Sequence, residues 1–161
     1  MKKYILNPVS MLVIGLALGV TARMLDIYTQ NLGNIFSQMA IWILFGVLIS
    51  IYSSSKKKAM LNILPFGIGI SITYYITAAV TKGVYSEEFI IWWTIFACCL
   101  PIFAYFTWMT KEKGVFPKII SLGIIFVSVM SSIILFDRLR IYDIVINGIM
   151  IYYLFFKKVE R

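Results

Sequence analysis

Two oppositely charged pairs stand three residues apart in a chain otherwise poor in charge: Arg23 with Asp26, and Arg140 with Asp143. Residues at that spacing share a helix face and can pair. Between them in the sequence lies an uncharged polar stretch, Asp26 to Gln38, that includes Asn31 and Asn34, and further on Tyr85, Trp92 and Trp93 offer rings for stacking. Arg23, Asp26, Asn31, Asn34, Trp92, Trp93, Arg140 and Asp143 together form a candidate set for binding a small molecule by hydrogen bonds, charge and stacking. Plainer readings stand beside it. The charges can be interfacial, with arginine stems snorkelling, the tryptophans can be membrane-interface anchors, and Gly33 can mark an ordinary turn.

Catalytic chemistry finds little support. The chain has no histidine, and its only cysteines, Cys98 and Cys99, are adjacent within an apolar run, away from metal-ligand spacing. There is no HExxH motif and no phosphate-binding glycine loop, and no serine has an evident base. The expectation is a protein that is not an enzyme, holds no metal or cofactor, and cannot drive transport by hydrolysing ATP itself.

The elements that carry these residues are set by composition. Of 161 residues 61% are hydrophobic and 14% charged, with a mean hydropathy of +0.90. One small soluble core cannot hide that much apolar surface. The net charge of +8 sits in short lysine clusters between apolar runs, which argues for membrane loops and against a nucleic-acid surface. Apolar runs of spanning length predict an all-α, single-domain membrane bundle over residues 1–161, with six transmembrane helices at about 5–25, 35–55, 59–81, 89–110, 118–136 and 139–156.

Local signals mark the boundaries. Asn7-Pro8 reads as an N-cap with proline at the first helical position. Lys56-Lys57-Lys58 closes span 2, and Pro65 and Pro101 predict kinks in spans 3 and 4. Asp137 is a candidate N-cap for span 6. Asp143, about a turn inside that span, calls for a partner, with Arg140 and Arg23 the candidates. The two charged pairs lie at similar depth and are expected to form one network between spans 1 and 6.

With the N-terminus inside, eleven lysines and arginines fall on the cytoplasmic side and four outside. That predicts both termini cytoplasmic in a bacterial inner membrane. Lys2-Lys3, an apolar stretch and Val20-Thr21-Ala22 also fit a cleaved secretory signal, which would leave five spans. Gly15, Ala17, Gly19 and Ala22 in span 1 read instead as a helix-packing face.

Two resemblances follow from these residues. The segments Gly19-Val-Thr-Ala-Arg23-Met-Leu-Asp26, Leu32-Gly-Asn34-Ile-Phe-Ser37 and Tyr74-Tyr-Ile-Thr-Ala78 resemble a family of small multi-pass bacterial membrane proteins of unknown function. The six-span plan, with a small-residue first helix and a polar first outer loop, is similar to the substrate-binding subunits of energy-coupling-factor vitamin transporters. That second resemblance implies a vitamin-like ligand on the outer side. It also implies a coupling membrane subunit with ATPases as partner, contacted through small residues of span 1, of which Gly15 with Gly19, or Ala17 with Ala22, is the nearest equivalent here. The expectation is a ligand-binding subunit with a polar outer vestibule, and the alternative is a non-catalytic accessory, assembly or immunity protein packed against another membrane complex.

Overall fold

The computed structural model describes residues 6–36, 38–81 and 87–159. Lys2, Lys3, Ser37 and Tyr85, named above, and Lys82 and Arg161, part of the charge count, lie outside the described residues, as do the side chains of Asn31 and Glu87. Among the described residues the protein is all-helical. Its seven α-helices are α1 (Pro8–Tyr28), α2 (Gln30–Phe36), α3 (Met39–Tyr52), α4 (Lys56–Val80), α5 (Glu87–Met109), α6 (Val115–Phe136) and α7 (Ile141–Ile151), the last continuing as a π-helical turn over Tyr152–Phe156.

Four of these, α1, α4, α6 and the Ile90–Met109 part of α5, are long and apolar enough to cross a membrane. Two further apolar helices, Met39–Tyr52 and Ile141–Phe156, are shorter. At about 1.5 Å per residue, the 14 residues of α3 rise only some 21 Å, against a hydrocarbon core of about 30 Å. The large apolar side chains exposed on every long helix, such as Val9, Ile76, Ile102 and Ile134, suit a lipid solvent.

The helix ends explain several boundaries. The Asn7 side chain accepts a hydrogen bond from the Ser10 amide at 2.9 Å, and Pro8 follows at the first position of α1. Ser55 caps α4 in the same way, accepting from the Lys58 amide at 3.2 Å. The three lysines therefore open α4 instead of closing the preceding helix, because a hydroxyl cap ahead of them satisfies the free amides of a new first turn. Asp137 departs from expectation too. It ends α6 in the left-handed conformation (φ 56°), and Arg140, three residues later, is the N-cap of α7. The polar stretch after Asp26 is not an open loop: α1 runs on to Tyr28, and α2 folds back so that Gly33 meets the backbone of Leu25 and Asp26. Both α4 and α5 run unbroken through Pro65 and Pro101.

Two packing units make the bundle. In the first, α1 lies against α4, the most extensive helix contact in the molecule. A side chain on Gly15 or Gly19 would run into the Phe66 or Ile70 carbonyl, and one on Gly69 would come within 2.9 Å of the Leu12 carbonyl oxygen. Thr73 Oγ1 reaches across to the Leu16 carbonyl at 2.8 Å. Glycine removes the steric layer between the two backbones, so dispersion and a hydroxyl bond act at short range in a solvent that offers no hydrophobic drive. In the second unit Ala40, Leu44, Val47 and Ile51 of α3 pack with Ile146, Met150 and Leu154 of α7 and its π turn, with Ile124 and Ile125 of α6 against them. The lysine end is stitched by Lys56–Glu112 at 3.0 Å, by Trp108 Nε1 donating to the Ser53 carbonyl at 2.9 Å, and by Lys111. The Lys111 ammonium donates to the Tyr153, Leu154 and Lys157 carbonyls at the end of the last helix.

Candidate functional site

The charged residues fall into two separate groups. Arg23 is 8% exposed and gives Nη1 to Asp26 Oδ2 at 2.7 Å. Its guanidinium also lies 5.6 Å from the centre of the Tyr74 ring, linking α1 to α4 through a cation–π contact. At the other group Asp143 is fully buried, and its Oδ2 accepts from the Arg140 backbone amide at 2.9 Å. The Arg140 guanidinium is turned away onto the Phe136 ring, 3.9 Å from its centre, and donates to the Tyr142 hydroxyl at 2.8 Å.

The expected side-chain pair between Arg140 and Asp143 is therefore not formed. Arg140 is the N-cap residue of α7, with extended backbone (φ −95°, ψ 161°), so its side chain leaves the helix while the Asp143 carboxylate turns back to its amide. The single network between the first and last spans is absent as well. Helix α1 packs on α2 and α4, whereas α7 packs on α3 and α6.

The remaining candidates divide by their surroundings. Asn34 is exposed on α2, and Trp92 projects outward at 67% exposure. Trp93, one residue on and so about 100° around the helix, turns instead to the wall of a cavity between α3, α4, α5 and α6. Of the seven residues chosen from the sequence for ligand binding whose side chains are described, Trp93 is the one that lines this cavity. Of the four small residues of span 1, Gly15, Gly19 and Ala22 are buried while Ala17 is exposed.

The cavity measures about 580 Å³, and its walls combine aliphatic side chains with aromatic rings, among them Trp42, Phe66, Tyr74, Tyr75, Trp93 and Phe96. Arg23 stands behind the Tyr74 ring. Four serine and threonine residues also reach the cavity, but each donates to its own helix: Ser50 to Gly46 O at 2.7 Å, Ser71 to Gly67 O at 3.1 Å, Thr107 to Phe103 O at 2.8 Å and Ser131 to Ser128 O at 2.8 Å. Their protons are engaged, leaving weak acceptor lone pairs. Trp42 Nε1 is likewise committed, to the Phe36 carbonyl at 2.9 Å. Such a chamber suits an apolar, ring-bearing body and disfavours an anion.

One side of the cavity is loosely closed. Helices α5 and α6 are consecutive in the chain, yet touch only sparsely. Phe103 and Phe106 of α5 and Val127 of α6 line the cavity and are each more than a third exposed, so it communicates with the surroundings along the α5–α6 seam. Gly123 of α6 also lines it, and a side chain there would meet nothing within 4 Å. Sequence reading passed over Trp42, Phe66 and Phe96 because single aromatic residues in apolar helices carry no pattern of their own. Tyr74 and Tyr75 entered the sequence reading only within the Tyr74-Tyr-Ile-Thr-Ala78 segment.

A family model described as "Family of unknown function (DUF6518)" matches residues 1–137 of the chain. No curated protein and no solved structure matches it.

Proposed function

Because the chain belongs to the DUF6518 family of unknown function, membership supplies no activity, and we propose one from the geometry: the protein binds a small, ring-bearing, largely apolar molecule inside the membrane. The observation that carries this reading is the largely apolar cavity of about 580 Å³ between α3 and α6, with aromatic rings in its walls. Its volume falls within the range of about 300–1,000 Å³ usual for ligand pockets. The ligand enters from the bilayer along the α5–α6 seam, and the cavity, rather than the charged end of the bundle, is its seat.

In this reading the chain spans a bacterial cytoplasmic membrane six times, with both termini inside. The lysine clusters support that orientation. The two shorter helices cross at locally thinned bilayer or with their flanking polar residues drawn in. The protein acts as the substrate-binding subunit of an uptake transporter and has no catalytic role of its own. A coupling membrane subunit with ATPases supplies the energy. That partner docks elsewhere than on Gly15 and Gly19, which α4 already covers.

A second reading has its own support. The exposed apolar residues Phe103, Phe106 and Val127 along the loose seam suit a helix of another membrane complex, which would make the protein an accessory or assembly factor. One experiment separates the two. The tagged chain and a Gly123→Leu variant are purified from native membranes in mild detergent, and bound small molecules and proteins are identified by mass spectrometry. A Cβ at 123 meets nothing within 4 Å, and the rest of a leucine side chain takes up cavity volume. The transport reading expects an apolar ring compound with the parent chain, about tenfold less with the variant, and a coupling subunit with both. Equal small-molecule content in the two samples overturns the ligand reading, and recovery of an unrelated membrane complex favours the accessory role.

A further inference from the structure

Most of the polar protons around the cavity are already committed. Ser50, Ser71, Thr107 and Ser131 donate to carbonyls of their own helices, and Trp42 Nε1 donates to the Phe36 carbonyl. Tyr74 is different. It lines the same cavity and is half-buried, and its hydroxyl makes no hydrogen bond among the described residues. It also stands about 9 Å of helix rise inside Val80, the end of α4. At that depth lipid tails offer the hydroxyl no acceptor.

A charged group holds this ring. The Arg23 guanidinium lies 5.6 Å from the centre of the Tyr74 ring, and its Nη1 donates to Asp26 Oδ2 at 2.7 Å. Arg23 Nε is buried without a partner, so the positive charge beside the ring is only partly compensated. A positive charge near a phenol ring draws electron density from its oxygen and makes the hydroxyl a stronger donor. It also favours the negative end of a ligand dipole at that hydroxyl and opposes a cationic one.

A neutral acceptor meets these conditions better than a donor or an anion. A ligand hydroxyl that gave its proton to Tyr74 would leave the tyrosine proton unplaced, and a buried polar group without a partner costs about 1–3 kcal/mol. A carbonyl oxygen takes that proton and has none of its own to place. A carboxylate also accepts, but no lysine or arginine lines the cavity, and the apolar wall penalises a full charge. Building on the reading that the cavity holds an apolar ring compound, we infer that this compound is a planar ring bearing a neutral carbonyl, as a membrane quinone does, and that the Tyr74 hydroxyl donates to that oxygen. The rings of the wall suit its flat body. The loosely closed α5–α6 seam lets an apolar tail reach the bilayer.

The test uses the full chain in detergent and a matched pair of probes, 2,3-dimethyl-1,4-naphthoquinone and 2,3-dimethylnaphthalene, which share rings and methyl groups and differ in the carbonyls. Binding is read by equilibrium dialysis at equal detergent concentration on both sides, so partition into micelles cancels. Tyr74→Phe, which removes the hydroxyl and keeps the ring, should weaken quinone binding about fivefold and leave the hydrocarbon unchanged. The carbonyl stretch of the quinone bound to the parent chain should fall below its frequency in detergent alone, and the variant should lose that shift. An unshifted band overturns the inference, and this infrared reading decides the matter if Tyr74→Phe does not fold. Equal quinone binding by parent and variant overturns it too, but leaves the cavity reading standing where the parent holds both probes and Gly123→Leu releases them. A parent chain that binds neither probe, or a Gly123→Leu variant that binds both as the parent does, overturns the cavity reading and this inference with it.

Discussion

Gly15 and Gly19 show how much one absent methyl group decides. Each lets the backbone of α4 approach α1 until a Cβ would overlap a carbonyl, while Gly123 and Gly148 face open space. Gly15→Ala should therefore force the pair apart and destabilise the protein by about 2 kcal/mol, read as a lower unfolding midpoint in detergent. Gly148→Ala, at a site with nothing within 4 Å, should leave the midpoint unchanged or slightly raised. The spacing of Gly15 and Gly19 reads from the sequence as a packing face. The identity of the helix it meets does not, because a small-residue face suits any helix able to come close. Arg23 and Asp26 likewise read as a pair, whereas Arg140 and Asp143, at the same spacing, do not form one. The difference lies in where each stands: Arg23 is mid-helix, and Arg140 is the cap, where the backbone amide competes for the carboxylate.

Among the elements, the end of α7 is the most instructive. A π-helical turn leaves carbonyls with displaced partners, and the Lys111 ammonium, arriving from the α5–α6 connection, collects those of Tyr153, Leu154 and Lys157. A cation at a helix C-terminus also meets the negative end of the helix dipole. Replacing it in Lys111→Met should speed amide exchange over residues 152–157 by about tenfold, while Lys113→Met, at an exposed position, should leave that segment unchanged. Protection that survives Lys111→Met would show that the π turn holds its own end. Nothing in the sequence singles out Lys111 from its neighbours, since a lysine cluster at a membrane boundary reads only as topology. The caps Asn7 and Ser55 are legible by type and position, and Asp137 misleads because aspartate serves a left-handed helix end as well as a helix start.

At the scale of the molecule, the open matters are how the bundle sits in the bilayer and what its hollow part holds. The proposed orientation places the end of α1 outside and the start of α4 inside. In a chain carrying Cys98→Ala and Cys99→Ala, a membrane-impermeant maleimide applied to intact cells should label Tyr28→Cys and spare Lys57→Cys. Both replaced residues are exposed in the fold. The reverse pattern would invert the topology. The loose α5–α6 seam belongs to this scale as well, because two helices joined by a short connection and yet sparsely packed leave the cavity open to whatever surrounds the bundle.

The sequence by itself determined the all-helical, membrane-compatible character of the chain and the close spacing of Gly15 and Gly19 in α1, though not helix α2, since hydropathy and spacing are carried by residues near one another in the chain. Only the tertiary structure decided that Arg140 turns from Asp143, that Trp93 and not Trp92 lines the cavity, and that the space left between α3 and α6 is an apolar chamber with aromatic rings in its walls. A cavity is what side chains from four helices fail to fill, and an orphaned polar atom is one that no neighbour reaches. Both are properties of packing between distant segments, and no local pattern encodes them.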